Sequence, residues 1–287
     1  MTVLRLNGAG LAYGSRHLWS GLDLEVAAGE FVAVLGANGS GKTSLLKVIL
    51  GQQQLSSGTA ELLGERIHGG DRRIGYIPQQ KMAEPGTPLR GRDLVGLGVD
   101  GHRLGPGWPS RARRQKVDAL LESVGASGFA SRPIGTLSGG EQQRLRVGQS
   151  LAGDPRLLLC DEPLISLDLR HQREVSELID RQRRERDLGV LFVTHDVNPI
   201  LGMVDRVLYL ANGAFRIGTP DEVLRSEVLS ELYQSPIDVI RTRGRIVVVG
   251  VPDSSHHHDD HDHADHGGHP HTAGTGGLGT HPTGGAA

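Results

Sequence analysis

"EFVAVLGANGSGKTSLLKVILG", Glu30 to Gly51, is the stretch from which the rest of the chain is read. Glu30–Gly36 is a short apolar run of the kind that forms a strand buried on both faces. After it, Leu45, Leu46, Ile49 and Leu50 fall on one face of a helix. Between strand and helix, Gly36–Thr43 satisfies G-x-x-x-x-G-K-[ST] in the context that gives the motif its mechanism. The glycines let backbone N–H groups turn inward around phosphate oxygens, so Gly36, Ala37, Asn38, Gly39, Ser40, Gly41 and the following Ser44 are candidate phosphate-binding residues. Lys42 supplies a point charge for the β- and γ-phosphates, and the Thr43 hydroxyl suits a Mg²⁺ ion. A glycine-rich strand-to-helix turn without a ligand is the competing reading. The lysine, the strand and the helix together weigh against it.

"RLLLCDEP", Arg156–Pro163, supplies the complementary half of such a site. An apolar strand ending at Asp161 delivers a carboxylate to the mouth of an open α/β sheet, where these folds bind ligands. Asp161 suits Mg²⁺, and Glu162 can orient and polarise an attacking water. Taken alone the two acids read equally well as caps of the next element; beside the phosphate loop the chemical reading prevails.

The remaining pattern is α/β. "RIGYIP" (Arg73–Pro78) and "VLFVTH" (Val190–His195) predict further strands, and a charged helix is expected from Leu169 to Arg186. Val117, Leu120, Leu121 and Val124 have helical spacing, with Ser110 placed as N-cap, so a mainly helical insert is expected near 85–150. Asn212-Gly213 predicts a hairpin, and "RIVVVG" (Arg245–Gly250) an added edge strand.

Composition excludes several classes. The formal charge is −2, and residues 1–251 carry 31 basic against 28 acidic side chains, too mild for a nucleic-acid face. Aromatic residues make up 3%, which argues against base-stacking platforms, and no nucleic-acid partner is expected. Cys160 is the one cysteine and builds no disulfide framework. The chain opens without a signal-peptide pattern and has no run of about 18–20 apolar residues, so a soluble, cytoplasmic protein is expected.

"TLSGGEQQR", Thr136–Arg144, narrows the reading further. By spacing it is a helix start with a Ser138-to-Glu141 capping box, presenting bare N–H groups to an anion. With its neighbours, "LSGGE" resembles the signature of ABC-type ATPases. The other landmarks follow in family order: "GYIPQQ" resembles the Q-loop at Gln79, "SLD" the D-loop at Asp168, and "VTHD" the switch histidine at His195. Tyr13 stands where the family's adenine-stacking aromatic is expected. Read alone, Gln79 is an ordinary loop amide, His195 a structural strand-end histidine and Tyr13 a packed strand tyrosine. The resemblance covers about residues 1–235. One departure is "GQS", Gly148–Ser150, where the family commonly carries Ala-Arg-Ala; a mid-helix glycine costs up to about 1 kcal/mol.

The resemblance implies a P-loop NTPase fold of ABC type: a mainly parallel sheet core, an N-terminal antiparallel β-layer and the helical insert. It also implies a homodimer in which Ser138, Gly139 and Gly140 of one copy close over ATP held by Gly36–Thr43 of the other. Glu162 is then expected to position the water, and His195 to contact the γ-phosphate. Lys42 and Gln79 complete the catalytic set, Gln79 by sensing Mg²⁺ and water. Asp168 links the two sites across the dimer. "PLRGRDLVGLGVDGHR" after the Q-loop, "RPIGTLSGGEQQR" and "DEPLISLD" look most like the ATPase subunits of zinc- and manganese-type importers. Such subunits sit on the cytoplasmic face of the membrane, with separate permease subunits and an extracytoplasmic metal-binding protein. An ABC ATPase for another cargo, an exporter, or one of the Fe–S assembly kind are the alternatives.

A nucleotide-binding domain over 1–250 and a disordered His/Asp/Gly-rich tail over 251–287 are expected. The tail packs eight of the fourteen histidines into Ser255–His271. His256, His257, His258, His261, His263 and His266, interleaved with aspartates, are candidate zinc ligands, since imidazole suits Zn²⁺ whereas manganese prefers oxygen donors. A purely solvating or tag-like end is the competing reading.

Overall fold

The structure, a computed structural model, describes residues 1–79, 86–101 and 110–250. The tail histidines and the expected tail disorder lie outside the described residues, as do parts of the insert.

Two sheets organise the chain. The first is antiparallel, in the order β2-β1-β4-β5, built from β1 (Thr2–Tyr13), β2 (Arg16–Ala27), β4 (Ser57–Leu62) and β5 (Glu65–Arg66). The second runs β10-β9-β3-β8-β7-β6, from β3 (Phe31–Gly36), β6 (Ile74–Ile77), β7 (Leu157–Asp161), β8 (Gly189–Val193), β9 (Arg206–Ala211) and β10 (Ala214–Gly218). Its five strands β9, β3, β8, β7 and β6 are parallel, and β10 is the antiparallel edge.

The continuous apolar runs are explained by two cores, one on each face of this sheet. Val32, Val34, Leu157, Leu159, Leu191 and Val193 pack toward α1 (Lys42–Ile49) and the antiparallel layer. Their neighbours Phe31, Ala33, Leu158, Cys160, Val190 and Phe192 pack toward the helices α3 (Arg111–Ser123), α4 (Gly139–Ser150) and α5 (Leu169–Arg186). Alternation therefore sorts side chains between two apolar compartments rather than between core and water.

The helical insert contains α2 (Gly91–Asp100), α3 and α4. Ser110 caps α3 by accepting from Arg113 N–H at 3.1 Å. α5 spans the residues expected and closes on Arg183, Arg184 and Arg186, cations that suit a helix C-terminus. Asn212 and Gly213 adopt φ 48° and 81°, as a two-residue primed turn between β9 and β10 requires. The glycine that departs from the family pattern also finds a reason. A Cβ on Gly148 would stand 3.3 Å from Val124, tight enough that the valine would have to give by a few tenths of an ångström, and at ordinary contact distance, 3.5 Å, from Val95.

One expectation is corrected. Arg245–Gly250 (β12) adds no edge to the main sheet; it pairs with β11 (Ile237–Thr242) as a separate hairpin following α6 (Pro220–Val223) and α7 (Ser226–Tyr233). An apolar run specifies a strand but not which sheet receives it, because the register partner lies elsewhere in the chain.

Phe31 and Phe192 stack across β3 and β8 at 5.5 Å between ring centroids, both fully buried. Phe192→Ala is expected to cost about 3–5 kcal/mol of stability. Denaturant unfolding measures it directly, and a loss below about 1 kcal/mol would contradict the packing described.

Candidate functional site

Four adjacent parallel strands end along one edge, and their register brings the candidate residues together. Val34 lies opposite Val193, Val193 opposite Asp161, and Cys160 opposite Ile77. The phosphate-loop residues after β3, the acids ending β7, His195 after β8 and Gln79 after β6 therefore emerge side by side. Between them opens a cleft of about 470 Å³ lined by Tyr13, Lys42, Thr43, Gln79, Asp161 and Glu162, with Asn38, Gly39, Gly41 and Ser44.

The loop's shape depends on glycine. Gly36 has φ 142°, and a Cβ there would lie 2.1 Å from the Leu210 carbonyl on neighbouring β9. Gly41, the N-cap of α1, has φ 99° and is backed by the indole of Trp19. Lys42 Nζ folds back to donate to the carbonyls of Gly36 (2.6 Å) and Ala37 (2.9 Å), placing the ammonium under the loop. Burial lowers its pKa, against the opposing charges of Glu162 and Asp161. Ser40 is buried, and its Oγ has no partner among the described residues.

Asp161 is 3% exposed. Tyr76 donates to its Oδ2 at 3.3 Å, whereas Oδ1 is buried without a hydrogen-bond partner among the described residues. Burial raises the Asp161 pKa and the charge of Glu162 adds to it, while Tyr76 and Lys42 oppose the rise. A buried, unpartnered carboxylate oxygen beside a hydroxyl such as Thr43 fits a hard divalent cation.

Glu162 adopts φ 49°, a left-handed conformation that is uncommon for a side chain of this kind and turns the chain sharply after the strand. Its N–H reaches Val193 O at 3.0 Å, and its Oε2 lies 2.6 Å from His195 Nδ1. The glutamate is 13% exposed and the histidine 62%, so the pair stands at the rim with the acid facing inward.

Other expected residues do not line this cleft, although Gly139 shares an adjoining small pocket with Glu162. Ser138 caps α4 with the capping box expected, its Oγ accepting from Glu141 N–H at 3.3 Å and Glu141 Oε2 accepting from Ser138 N–H at 2.8 Å. Ser138, Gly139 and Gly140 do not line the same chain's phosphate cleft. Asp168 caps α5 through His171, whose backbone N–H and ring hold the carboxyl below its ordinary pKa. The His171 ring packs so closely on Gly140 that a Cβ there would lie 2.4 Å from it.

Sequence reasoning missed Arg16 and Tyr76. Arg16 lines the cleft and donates to Gly39 O at 3.2 Å, bracing the phosphate loop. Nothing in "YGSRH" marks it, since an arginine after a tight turn is commonplace. Tyr76 is placed by strand pairing alone: on β6 it stands beside Leu159, two residues before Asp161 on the neighbouring strand.

A G-x-x-x-x-G-K-T loop between strand and helix, with a buried aspartate and a glutamate beside it at one α/β cleft, is the arrangement of a P-loop NTPase. The sequence profile of the ABC transporter family matches residues 19–165. The zinc import ATP-binding protein ZnuC of Paramagnetospirillum magneticum is 33% identical over 284 residues, 99% of this chain and 98% of that protein. The sulfate/thiosulfate import ATP-binding protein CysA of Bacillus cereus is 32% identical, covering 85% and 69%. The iron(3+)-hydroxamate import ATP-binding protein FhuC of Bacillus subtilis is 31% identical, covering 84% and 91%. The fold also matches an inward-facing ABC transporter proposed to be of the metal-chelate type, with TM-score 0.73 and 25% identity over 88% of this chain and 99% of that one. The chain belongs to the ABC transporter family and is its ATP-binding, ATP-hydrolysing part, using ATP with Mg²⁺. No helix among the described residues is long and apolar enough to cross a membrane.

Gly36→Ala is expected to abolish measurable nucleotide binding by the folded protein, because the added Cβ meets Leu210 O at 2.1 Å. Titration with a fluorescent ATP analogue checks it; wild-type affinity would refute the role given to this turn.

Proposed function

We propose that the chain is the ATPase subunit of an importer for a divalent metal ion, zinc in preference to manganese. The observation that carries the catalytic part is the 2.6 Å contact between Glu162 and His195 at the rim of the cleft that holds Lys42. In this reading the N–H groups from Gly36 to Ser44 and the Lys42 ammonium hold the ATP phosphates, and Tyr13 stacks on adenine. Thr43, Asp161 and Gln79 hold Mg²⁺, which neutralises phosphate charge when bound. Glu162 orients and polarises the attacking water, and His195 stabilises charge developing on the γ-phosphate.

The separation of Ser138, Gly139 and Gly140 from their own chain's cleft supports a second copy as the source of the closing donors. Asp168 then contacts that copy. ABC import ATPases dimerise and work with membrane permease subunits. Here the pair is a homodimer on the cytoplasmic face of the membrane, bound to separate permeases that receive ion from an extracytoplasmic metal-binding protein. Residues 1–250 form the nucleotide-binding domain and 251–287 a separate tail.

The zinc reading rests on two supports: the near full-length match to a zinc import ATPase, and the tail's histidines 256, 257, 258, 261, 263 and 266. Relatives of similar identity are named for sulfate and iron-hydroxamate import, and they favour another cargo as the second reading.

Glu162→Gln keeps the side-chain volume but removes the carboxylate, so it is expected to lower kcat by about 10²–10³-fold with ATP affinity retained. Normal turnover in this variant would overturn the catalytic assignment. For cargo, total zinc and manganese are measured in cells lacking the chain and in cells restored with wild type or Glu162→Gln. A zinc deficit rescued only by the hydrolysing form is expected; unchanged metals would transfer the function to another cargo.

A further inference from the structure

The loop that carries His195 is tied to a part of the chain nearly fifty residues away. After β8 the backbone runs Thr194–His195–Asp196–Val197–Asn198. Asn198 Nδ2 donates to Ile246 O at 2.9 Å, and Asn198 Oδ1 accepts from Ile246 N–H at 2.8 Å. Ile246 belongs to β12 and lies opposite Arg241 in the β11–β12 hairpin. A side-chain amide that meets both backbone groups of one residue reproduces the pairing a neighbouring strand would give. Asn198 thus acts as a one-residue strand on the edge of the hairpin.

The near end of this clamp is equally well tied. Asp196 Oδ1 accepts from Asn198 N–H at 2.9 Å and from Asn198 Nδ2 at 2.7 Å. Thr194 Oγ1 accepts from Asp196 N–H at 3.1 Å and donates to Asp196 O at 2.9 Å. The far end is rooted by the side chains of Ile246 and Ile237, 5% and 8% exposed, in the same core that receives α4 and α5. Hydrogen bonds therefore flank His195 without a break from the end of β8 to a buried anchor.

This matters because the His195 ring is 62% exposed and packing does little to hold it. Beyond the 2.6 Å contact with Glu162, its place depends on the backbone on either side. A displacement of about 1 Å in a reacting group costs on the order of 10²-fold in rate, so whatever restrains this loop restrains turnover. We infer that Asn198 is a positioning residue for ATP hydrolysis, clamping the C-terminal β11–β12 hairpin onto the loop so that the hairpin holds His195 in register with Glu162. The inference rests on the reading of His195 as a γ-phosphate contact.

Steady-state ATPase of the full-length chain tests it, with Asn198→Ala, the isosteric Asn198→Asp, His195→Ala and the double variant His195→Ala/Asn198→Ala. Both Asn198 variants are expected to lower kcat about 10-fold while KM for ATP changes less than about 2-fold. The double variant is expected to be no slower than His195→Ala alone, because both changes disable one unit. Wild-type kcat in the folded Asn198 variants overturns the proposal, and so does a full multiplicative loss in the double variant, which would mark a general structural effect. Normal turnover of His195→Ala removes the underlying reading of His195, and the inference with it. A measurement without substitution accompanies these. Hydrogen exchange at the Ile246 amide is expected to slow when a non-hydrolysable ATP analogue and Mg²⁺ are added, and unchanged exchange counts against the clamp.

Discussion

The alignment of four parallel strands is the constraint on which the site depends. β3, β8, β7 and β6 lie side by side with their carboxyl ends level, as the pairings Val34–Val193, Val193–Asp161 and Cys160–Ile77 record. A central strand buried on both faces has no room for polar side chains along its length, so chemistry is confined to its end. This is why the loop at residue 36, the acids at 161 and 162, the histidine at 195 and the glutamine at 79 meet although they are far apart in the chain. A one-residue slip of β7 against β8 would exchange its two apolar faces and withdraw Asp161 from the cleft, so the same packing that stabilises the sheet fixes the geometry of the site.

Electrostatics within the cleft gives ligand binding a physical motive. Burial disfavours the charged forms of both Lys42 and Asp161, and the neighbouring Glu162 carboxylate adds to the strain on Asp161. Lys42 donates to two loop carbonyls, and Asp161 Oδ1 has no hydrogen-bond partner among the described residues. An incoming phosphate offers Lys42 a full opposite charge, and an accompanying cation does the same for Asp161.

How much of this was legible in the sequence varied with the range of the interaction. Gly36–Thr43, the Ser138–Glu141 capping box and the Asn212-Gly213 turn are local, and their spacing alone carries the geometry. The bounds of α5 followed from its charge pattern, whereas its Asp168 cap emerged only in the structure. The β1–β2 pair could not be read from alternation, because its register shifts at several points between Thr2 and Ala12. The sheet to which β12 belongs was likewise hidden. Arg16 and Asn198 escaped because their partners are a backbone carbonyl of the phosphate loop and the backbone of Ile246, and residue type gives no sign of either. The roles of Ser138 and Asp168 were reached through family resemblance, since no spacing within one chain relates them to Lys42.

Those two residues also stand at neighbouring helix starts. α4 begins at Gly139 with Ser138 as its cap, and α5 begins after its Asp168 cap; the His171 ring wedged against Gly140 joins the two helix starts into one surface. Helix N-termini leave backbone donors unpaired and attract anions. A surface that gathers two of them, away from the chain's own phosphate cleft, is matched to an anion presented by another molecule. In the dimer proposed above, each copy would supply donors to its partner's cleft. The Asn198 clamp belongs to the other half of that arrangement: it acts within one chain, keeping His195 in place against Glu162 before the partner arrives.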